Sequence, residues 1–134
     1  MTACHDVADG GLLVALAEMC IGGSVGCRVD LSAVPFTACT AAAFLEEPGR
    51  MRADWVASFS ETPGRFVCEV PPEKAPAFED RFAGIAHAVL GEVTHDGRFV
   101  VIGRADDRSE CGMAVTELET AWRSLSRDFS GDGP

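Results

Sequence analysis

The feature that most constrains this chain is a glycine pair placed directly before an apolar segment near the N-terminus. Asp9, Gly10 and Gly11 form a turn signal, and the residues that follow are almost entirely apolar up to residue 21. Their leucine, methionine and cysteine side chains recur with the 3.6-residue period of a helix. The sequence therefore predicts a helix over 11–21, ended by a second glycine pair, with acidic residues just before it.

The rest of the chain alternates between strand and helix patterns. Alternation of apolar and polar residues predicts strands, and proline and glycine mark the ends of elements. In chain order the predictions are a strand at 25–31, a helix at 37–46, a helix or a loop at 50–57, a strand at 65–70 with Phe66, Cys68 and Val70 inward, a helix at 73–82, strands at 86–94 and 99–103, an edge strand at 113–115 and a last helix from Thr116 to about residue 125.

The short turn from His95 to Arg98 separates two of these strands and predicts a hairpin. Helices interleaved with short strands indicate an α+β fold, and a hairpin favours a mixed or antiparallel sheet over a parallel one. With 134 residues, 47% of them hydrophobic, we expect a single domain over residues 1–129 and a disordered tail at 130–134.

The charge of the chain argues against several classes of partner. It carries 21 acidic and 11 basic residues, a formal net charge of −10. Nucleic-acid-binding proteins normally present a basic face to phosphates, and neither a basic amphipathic helix nor a long apolar span is present in the sequence. We therefore predict no nucleic-acid partner, no membrane partner and a cytoplasmic location.

The six cysteines include no C-x-x-C pair, so we expect reduced thiols and neither a disulfide framework nor a zinc site. Cys4 precedes His5, which suggests a thiol activated by an imidazole. However, adjacent residues of an extended segment point in opposite directions. We therefore expect Cys4 to be a small buried residue without a catalytic role.

The turn before the first helix is the strongest candidate for chemistry. A carboxylate at Asp6 can bind Mg²⁺, and Gly10 and Gly11 leave backbone N–H groups at a helix start free to approach a phosphate. An ordinary capped turn has the same pattern, so the residues alone leave both interpretations open.

A second polar group precedes the strand at 65–70. Arg65 lies close in sequence to Ser60 and Glu61, and it could bind an anionic group. An Arg–Glu pair that holds a loop is the favoured interpretation.

Four segments together resemble one family. Residues 4–18 are similar to the His-Asp-x-Ser-Asp-Gly-Gly-Leu segment of phosphoribosylformylglycinamidine synthases, the amidotransferases of purine biosynthesis. Three later segments resemble that family's Phe-Ser-Glu…Arg-Phe strand, its Ile-Gly-Glu-Val strand and its Leu…Ala-Trp helix; they are residues 59–67, residues 90–93 and residues 118–122. Their order matches the C-terminal domain of the second half of the synthetase part.

The resemblance implies the fold of an aminoimidazole ribonucleotide synthetase C-terminal domain, with helices packed on a mixed sheet. It also implies a role for four residues. Asp6 aligns with a Mg²⁺ ligand, Ala8 aligns with a serine that contacts the nucleotide, and Gly10 and Gly11 would contact the phosphates of ADP or ATP. Because alanine has no hydroxyl group, we expect weaker nucleotide binding.

Family members convert formylglycinamide ribonucleotide, ATP and glutamine-derived ammonia to an amidine, and their reacting groups lie in other domains. The resemblance thus implies one piece of a larger ligase, with no catalytic residue and no activity alone. Its partners would be the remaining synthetase domains and the glutaminase part or subunit. The alternatives are a stand-alone interaction module with a decayed site, or a domain of a selenophosphate synthetase, a hydrogenase maturation protein or a thiamine monophosphate kinase.

Overall fold

The computed structural model describes residues 1–36, 50–104 and 109–129, and it describes residues 50–52 and 125–129 by their backbone only. The predicted helix at 37–46 and the predicted tail at 130–134 lie outside these ranges. In chain order the elements are β1 (Ala3–Asp6), α1 (Gly11–Gly23), β2 (Gly26–Asp30), α2 (Arg50–Phe59), β3 (Phe66–Glu69), α3 (Ala75–Arg81), β4 (Gly91–Thr94), β5 (Arg98–Ile102), β6 (Glu110–Ala114) and α4 (Val115–Phe129).

The strands of the described ranges form two separate sheets. β1 and β3 make an antiparallel pair, and the other four strands make a sheet in the order β4-β2-β5-β6. In that sheet β2 runs antiparallel to β4 and parallel to β5, and β5 runs antiparallel to β6. The sheet is therefore mixed, which confirms the predicted α+β class.

Helix α1 forms the centre of the core. Its buried side chains follow the spacing i, i+3, i+4 and i+8 of one helical face, and they are Leu12, Ala15, Leu16 and Cys20. This face packs with Cys27, Val29 and Phe99 of the mixed sheet, and the core also includes Ala57 of α2 and Val115 of α4. The predicted first helix is confirmed, and the strand predicted at 25–31 corresponds to β2.

The predicted hairpin is wrong. β4 and β5 follow each other in sequence but lie on opposite sides of β2, so the short connection between them crosses the end of that strand. The crossing passes over Gly26, where a Cβ atom would lie 2.4 Å from the carbonyl oxygen of Arg98 and 2.5 Å from Oγ1 of Thr94. A glycine at the start of β2 thus makes room for the connection.

Several predicted boundaries and orientations also differ. β1 was not predicted, and the strand expected at 86–94 is limited to β4, with Val89 71% exposed. The facing predicted for β3 is reversed, because Phe66 is 66% exposed whereas Val67 packs against the core. The ambiguous segment at 50–57 is helical in α2, and the helix expected at 73–82 is a 3₁₀ turn followed by α3.

The crossing connection should make stability depend on pH. Hydrogen bonds from the Thr94 hydroxyl and the Arg98 N–H hold the pKa of the Asp96 carboxyl below its usual value. The stability that these hydrogen bonds contribute is fully present above the unfolded-state pKa of about 3.9. It is lost as the pH falls through the lower pKa of the folded state. We expect Asp96→Asn to flatten the dependence of unfolding free energy on pH below about pH 4.

Urea denaturation over a series of acidic buffers would measure this dependence. Thr94→Ala removes one of the two donors and should flatten the curve in part. If the dependence of unfolding free energy on pH is unchanged in Asp96→Asn, the Asp96 carboxylate does not contribute to stability in this way.

Candidate functional site

Asp6 is the last residue of β1, and its carboxylate faces solvent. Along a strand successive side chains point to opposite faces, so Cys4 and Asp6 share one face and His5 lies on the other. The Asp6 side chain is 66% exposed and lies opposite Phe66 of β3. The residue predicted to bind metal is therefore accessible at the end of a strand.

His5 joins β1 to α1. Its Nδ1 atom lies 2.6 Å from the backbone carbonyl oxygen of Asp6, and its Nε2 atom lies 3.1 Å from Oε2 of Glu18 on α1. A neutral imidazole has only one N–H, so both contacts are hydrogen bonds only when the ring is protonated. Because Cys4 points to the opposite face of the strand, the structure gives no support to a Cys4–His5 nucleophile.

The turn that leads from β1 into α1, which we term the Asp9 turn, comprises residues 7–11. The backbone N–H groups of Gly10 and Gly11 are not free, contrary to expectation. The N–H of Gly10 donates to Oε1 of Glu61 at 2.8 Å, and the N–H of Gly11 donates to the carbonyl oxygen of Ala8 at 3.0 Å. A phosphate could reach the Gly10 N–H only if the Glu61 carboxylate moved away.

The two glycines are needed for the geometry of this turn. Gly10 has φ +80° and Gly11 has φ +76°, a region that residues with a side chain rarely adopt. A Cβ on Gly11 would lie 2.6 Å from the backbone of Phe59, at the end of α2. Gly11 therefore allows α1 to start directly against another helix, a role that the sequence did not indicate.

Glu61 is the residue of this site that sequence reasoning missed. We expected it to pair with Arg65, and that prediction is wrong, because Glu61 bonds to Gly10. Arg65 donates instead to the carbonyl oxygens of Ser60 at 3.0 Å and Ala57 at 3.4 Å, near the C-terminal end of α2. Partial burial lowers the pKa of its guanidinium. The sequence signal at this position was the Phe-Ser-Glu segment. Its local pattern does not identify which residue the glutamate binds.

Within the described ranges no group of three or more His, Cys, Asp or Glu side chains is placed to hold a metal ion. Asp6 can supply one hard oxygen ligand. Mg²⁺ is commonly held by one or two carboxylates together with water and substrate phosphates. The exposed Asp6 carboxylate fits such a partial site, whose other ligands would come from outside these residues.

A family model described as AIR synthase related protein, C-terminal domain, matches residues 1–104. The chain belongs to this family. Curated relatives in three bacteria are named phosphoribosylformylglycinamidine synthase subunit PurL. That of Thermobifida fusca is 39% identical over 126 residues, that of Deinococcus radiodurans 34% over 127, and that of Limosilactobacillus reuteri 33% over 122.

The present chain spans only a small part of the length of those relatives. The matches cover 91% to 95% of the present chain but only 13% to 15% of each relative. Among solved structures, Thermotoga maritima PurL complexed with ATP has a TM-score of 0.66 at 23% identity, covering 87% of this chain and 18% of that one. The complex with FGAR has a TM-score of 0.68 at 24% identity, covering 87% of this chain and 17% of that one. These structures show the shared fold.

No helix within the described ranges combines the length and the apolar character that crossing a membrane requires.

Proposed function

We propose that this chain is the C-terminal domain of the second synthetase half of a phosphoribosylformylglycinamidine synthase, where it forms one wall of a Mg²⁺–nucleotide site. The observation that carries the proposal is the similarity to PurL subunits along 91% to 95% of the chain. Complexes of Thermotoga maritima PurL with ATP and with ADP support an adenine nucleotide as the ligand.

Asp6 is the proposed contact to the metal. Its carboxylate is exposed at the end of β1, and the contact between Nε2 of His5 and Oε2 of Glu18 ties the preceding residue of the strand to α1. An Mg²⁺ ion there would bring nucleotide phosphates close to the start of α1, where the positive end of the helix dipole favours anions. Asp6 thus supplies the charge that the cation requires.

Glu61 sets a condition on the proposed phosphate contact. In this structure its carboxylate occupies the Gly10 N–H, the position that we propose for a phosphate oxygen. Glu61 is exposed on a loop, so its side chain can leave without opening the core. Ala8 offers no hydroxyl group, and its carbonyl oxygen already accepts from Gly11. Phosphate binding would therefore use backbone N–H groups after Glu61 has moved.

The reaction and the partners belong to the whole enzyme. We propose that the enzyme is an ATP-dependent ligase, located in the cytoplasm, and that this domain is inactive alone. Its partners would be the other synthetase domains and the glutaminase part or subunit. Two neighbouring aromatic side chains of α2 support a covered surface, because Trp55 is 63% exposed and Phe59 46%, with ring centroids 5.3 Å apart. Large apolar side chains left open in one domain are typical of a surface that a neighbour covers.

Asp6→Asn should weaken the binding of Mg²⁺–ADP to the longer synthetase that contains this domain. Asparagine keeps one oxygen but loses the negative charge, and the loss of even an outer partner of a metal site costs about 10-fold to 100-fold in affinity. We expect at least about a tenfold increase in Kd, measured by isothermal titration calorimetry with and without Mg²⁺.

Asp9→Asn is the matched control, because Asp9 is an exposed aspartate on the same turn. The affinity of the Asp9→Asn protein for Mg²⁺–ADP should stay close to that of the parent protein. Equal affinity of the Asp6→Asn and parent proteins for Mg²⁺–ADP would exclude Asp6 as a metal ligand.

A second candidate is an interaction module that keeps this fold without binding nucleotide. Two observations favour it: the absent hydroxyl at Ala8 and the occupation of the Gly10 N–H by Glu61. The titration separates the candidates, because a module of this kind would show no Mg²⁺-dependent ADP binding in the parent protein. Glu61→Ala, which frees the Gly10 N–H, should strengthen binding only if a phosphate uses that group.

A further inference from the structure

Two cysteines face each other across the β1–β3 pair. Cys4 and Cys68 are 64 positions apart in sequence, yet they lie directly opposite each other in the antiparallel register. The thiol of Cys68 donates to the sulfur of Cys4, and the two Sγ atoms are 3.6 Å apart. We had expected Cys4 to be buried, but it is exposed.

The backbone at this position suits a disulfide. In an antiparallel pair, opposite residues alternate between hydrogen-bonded and non-hydrogen-bonded sites. The N–H of Val7 donates to the carbonyl oxygen of Arg65, which continues the register of the pair, so Cys4 and Cys68, three positions along, occupy a non-hydrogen-bonded site. Cα atoms at such sites are about 4.5 Å apart, within the range of about 4.4 to 6.8 Å found in disulfides.

The two thiols are also accessible. Cys4 is exposed and Cys68 is half-buried, on the face of the β1–β3 pair that turns away from α1. A second pair of contacting thiols provides a contrast, because Cys20 and Cys27 lie in the core at 4% and 5% exposure. An oxidant in solution can reach the first pair in the folded chain, whereas the second pair is shielded.

We propose that Cys4 and Cys68 form a reversible oxidation site that closes to a cross-strand disulfide in the folded protein. With oxidised glutathione as the oxidant, the Cys4 sulfur attacks its disulfide and releases one reduced glutathione. The Cys68 sulfur then displaces the second glutathione from Cys4. The two cysteines together lose two hydrogen atoms, and the oxidant gains them.

The disulfide would join β1 to β3 beside the site at Asp6. Rotation of the two side chains must bring the sulfurs about 1.5 Å closer, because a disulfide bond is about 2.05 Å long. The bond would close a long loop that contains α1, β2 and α2, and long loops lose the most freedom in the unfolded chain when they are closed. Oxidation thus stabilises the strand that carries Asp6. The inference does not depend on nucleotide binding.

The test oxidises the folded 134-residue chain with oxidised glutathione and identifies the linked cysteines by mass spectrometry of non-reduced peptides. We expect a Cys4–Cys68 peptide, loss of two free thiols, and a midpoint of thermal unfolding about 10 °C higher than in the reduced chain. A reducing agent should reverse all three changes. Cys4→Ser and Cys68→Ser should show no rise in the midpoint, and Cys111→Ser, which removes another exposed thiol, should behave as the parent.

Three results would overturn the proposal. The first is a stable glutathione adduct on Cys4 with a free thiol at Cys68. The second is a Cys4–Cys68 link that forms only in denaturant. The third is a midpoint that rises equally in Cys4→Ser, which would assign the effect to other thiols.

Discussion

Gly11→Ala should lower the free energy of unfolding by about 3 kcal/mol, the largest effect expected of any single methyl group added near the site. Gly11 has φ +76°, and a left-handed conformation costs a residue with a side chain about 1 to 2 kcal/mol. The added Cβ would also lie 2.6 Å from backbone atoms of Phe59, which cannot rotate away as a side chain could. Overpacking of this kind costs about 1 to 3 kcal/mol more.

Two matched variants separate these contributions in urea denaturation. Gly64 has φ +83° with no atom near its Cβ position, so Gly64→Ala measures the conformational cost alone. Gly22 lies in α1 with open space around it and no positive φ, so Gly22→Ala should stabilise by about 0.5 to 1 kcal/mol. If Gly11→Ala lowers the free energy of unfolding by no more than Gly64→Ala does, the contact between α1 and α2 is not close.

Gly26→Ala should lower the free energy of unfolding by about 2 kcal/mol. Gly26 has no positive φ, so the cost comes from contact alone. The new Cβ would lie 2.4 Å from the carbonyl oxygen of Arg98, 2.5 Å from Oγ1 of Thr94 and 2.7 Å from Oδ1 of Asp96. Asp96 lies in the connection that carries the chain from β4 across the end of β2 to β5, and Thr94 and Arg98 are the strand residues at its two ends.

A double-mutant cycle with Thr94→Ala tests which contact matters. If the carbonyl oxygen of Arg98 is the obstacle, removal of the Thr94 hydroxyl will leave the cost of Gly26→Ala unchanged, because a backbone atom in a strand has little room to move. Full rescue by Thr94→Ala would show that a flexible side chain is the only obstacle and that the crossing is loose.

The local elements were predictable where one pattern dominated. The spacing of Leu12, Leu16 and Cys20 was enough for α1, and the alternation around Cys27 and Val29 was enough for β2. In β3 the pattern was ambiguous, because both faces carry apolar residues, Phe66 on one and Val67 on the other. Pairing with β1 decides which of these faces packs against the core, and that pairing was not visible in the sequence.

The residues of the candidate site were also predictable only in part. Asp6 and the glycines of the Asp9 turn were recognisable from residue type and order. The bond from the Gly10 N–H to Glu61 was not, because it joins residues 51 positions apart. The proposed roles of Asp6, Ala8, Gly10 and Gly11 toward metal and nucleotide remain predictions for the titration to test.

By itself, the sequence determined the apolar face of α1, the turn at the two glycines before it, the α+β class and the family to which the chain belongs. These properties depend on residues within one or two turns of each other, or on motifs whose order is preserved. Only the tertiary structure decided the strand order β4-β2-β5-β6, the partner of the Gly10 N–H and the meeting of Cys4 with Cys68. Each of these depends on which distant segments meet when the core closes, and local periodicity carries no information about that choice.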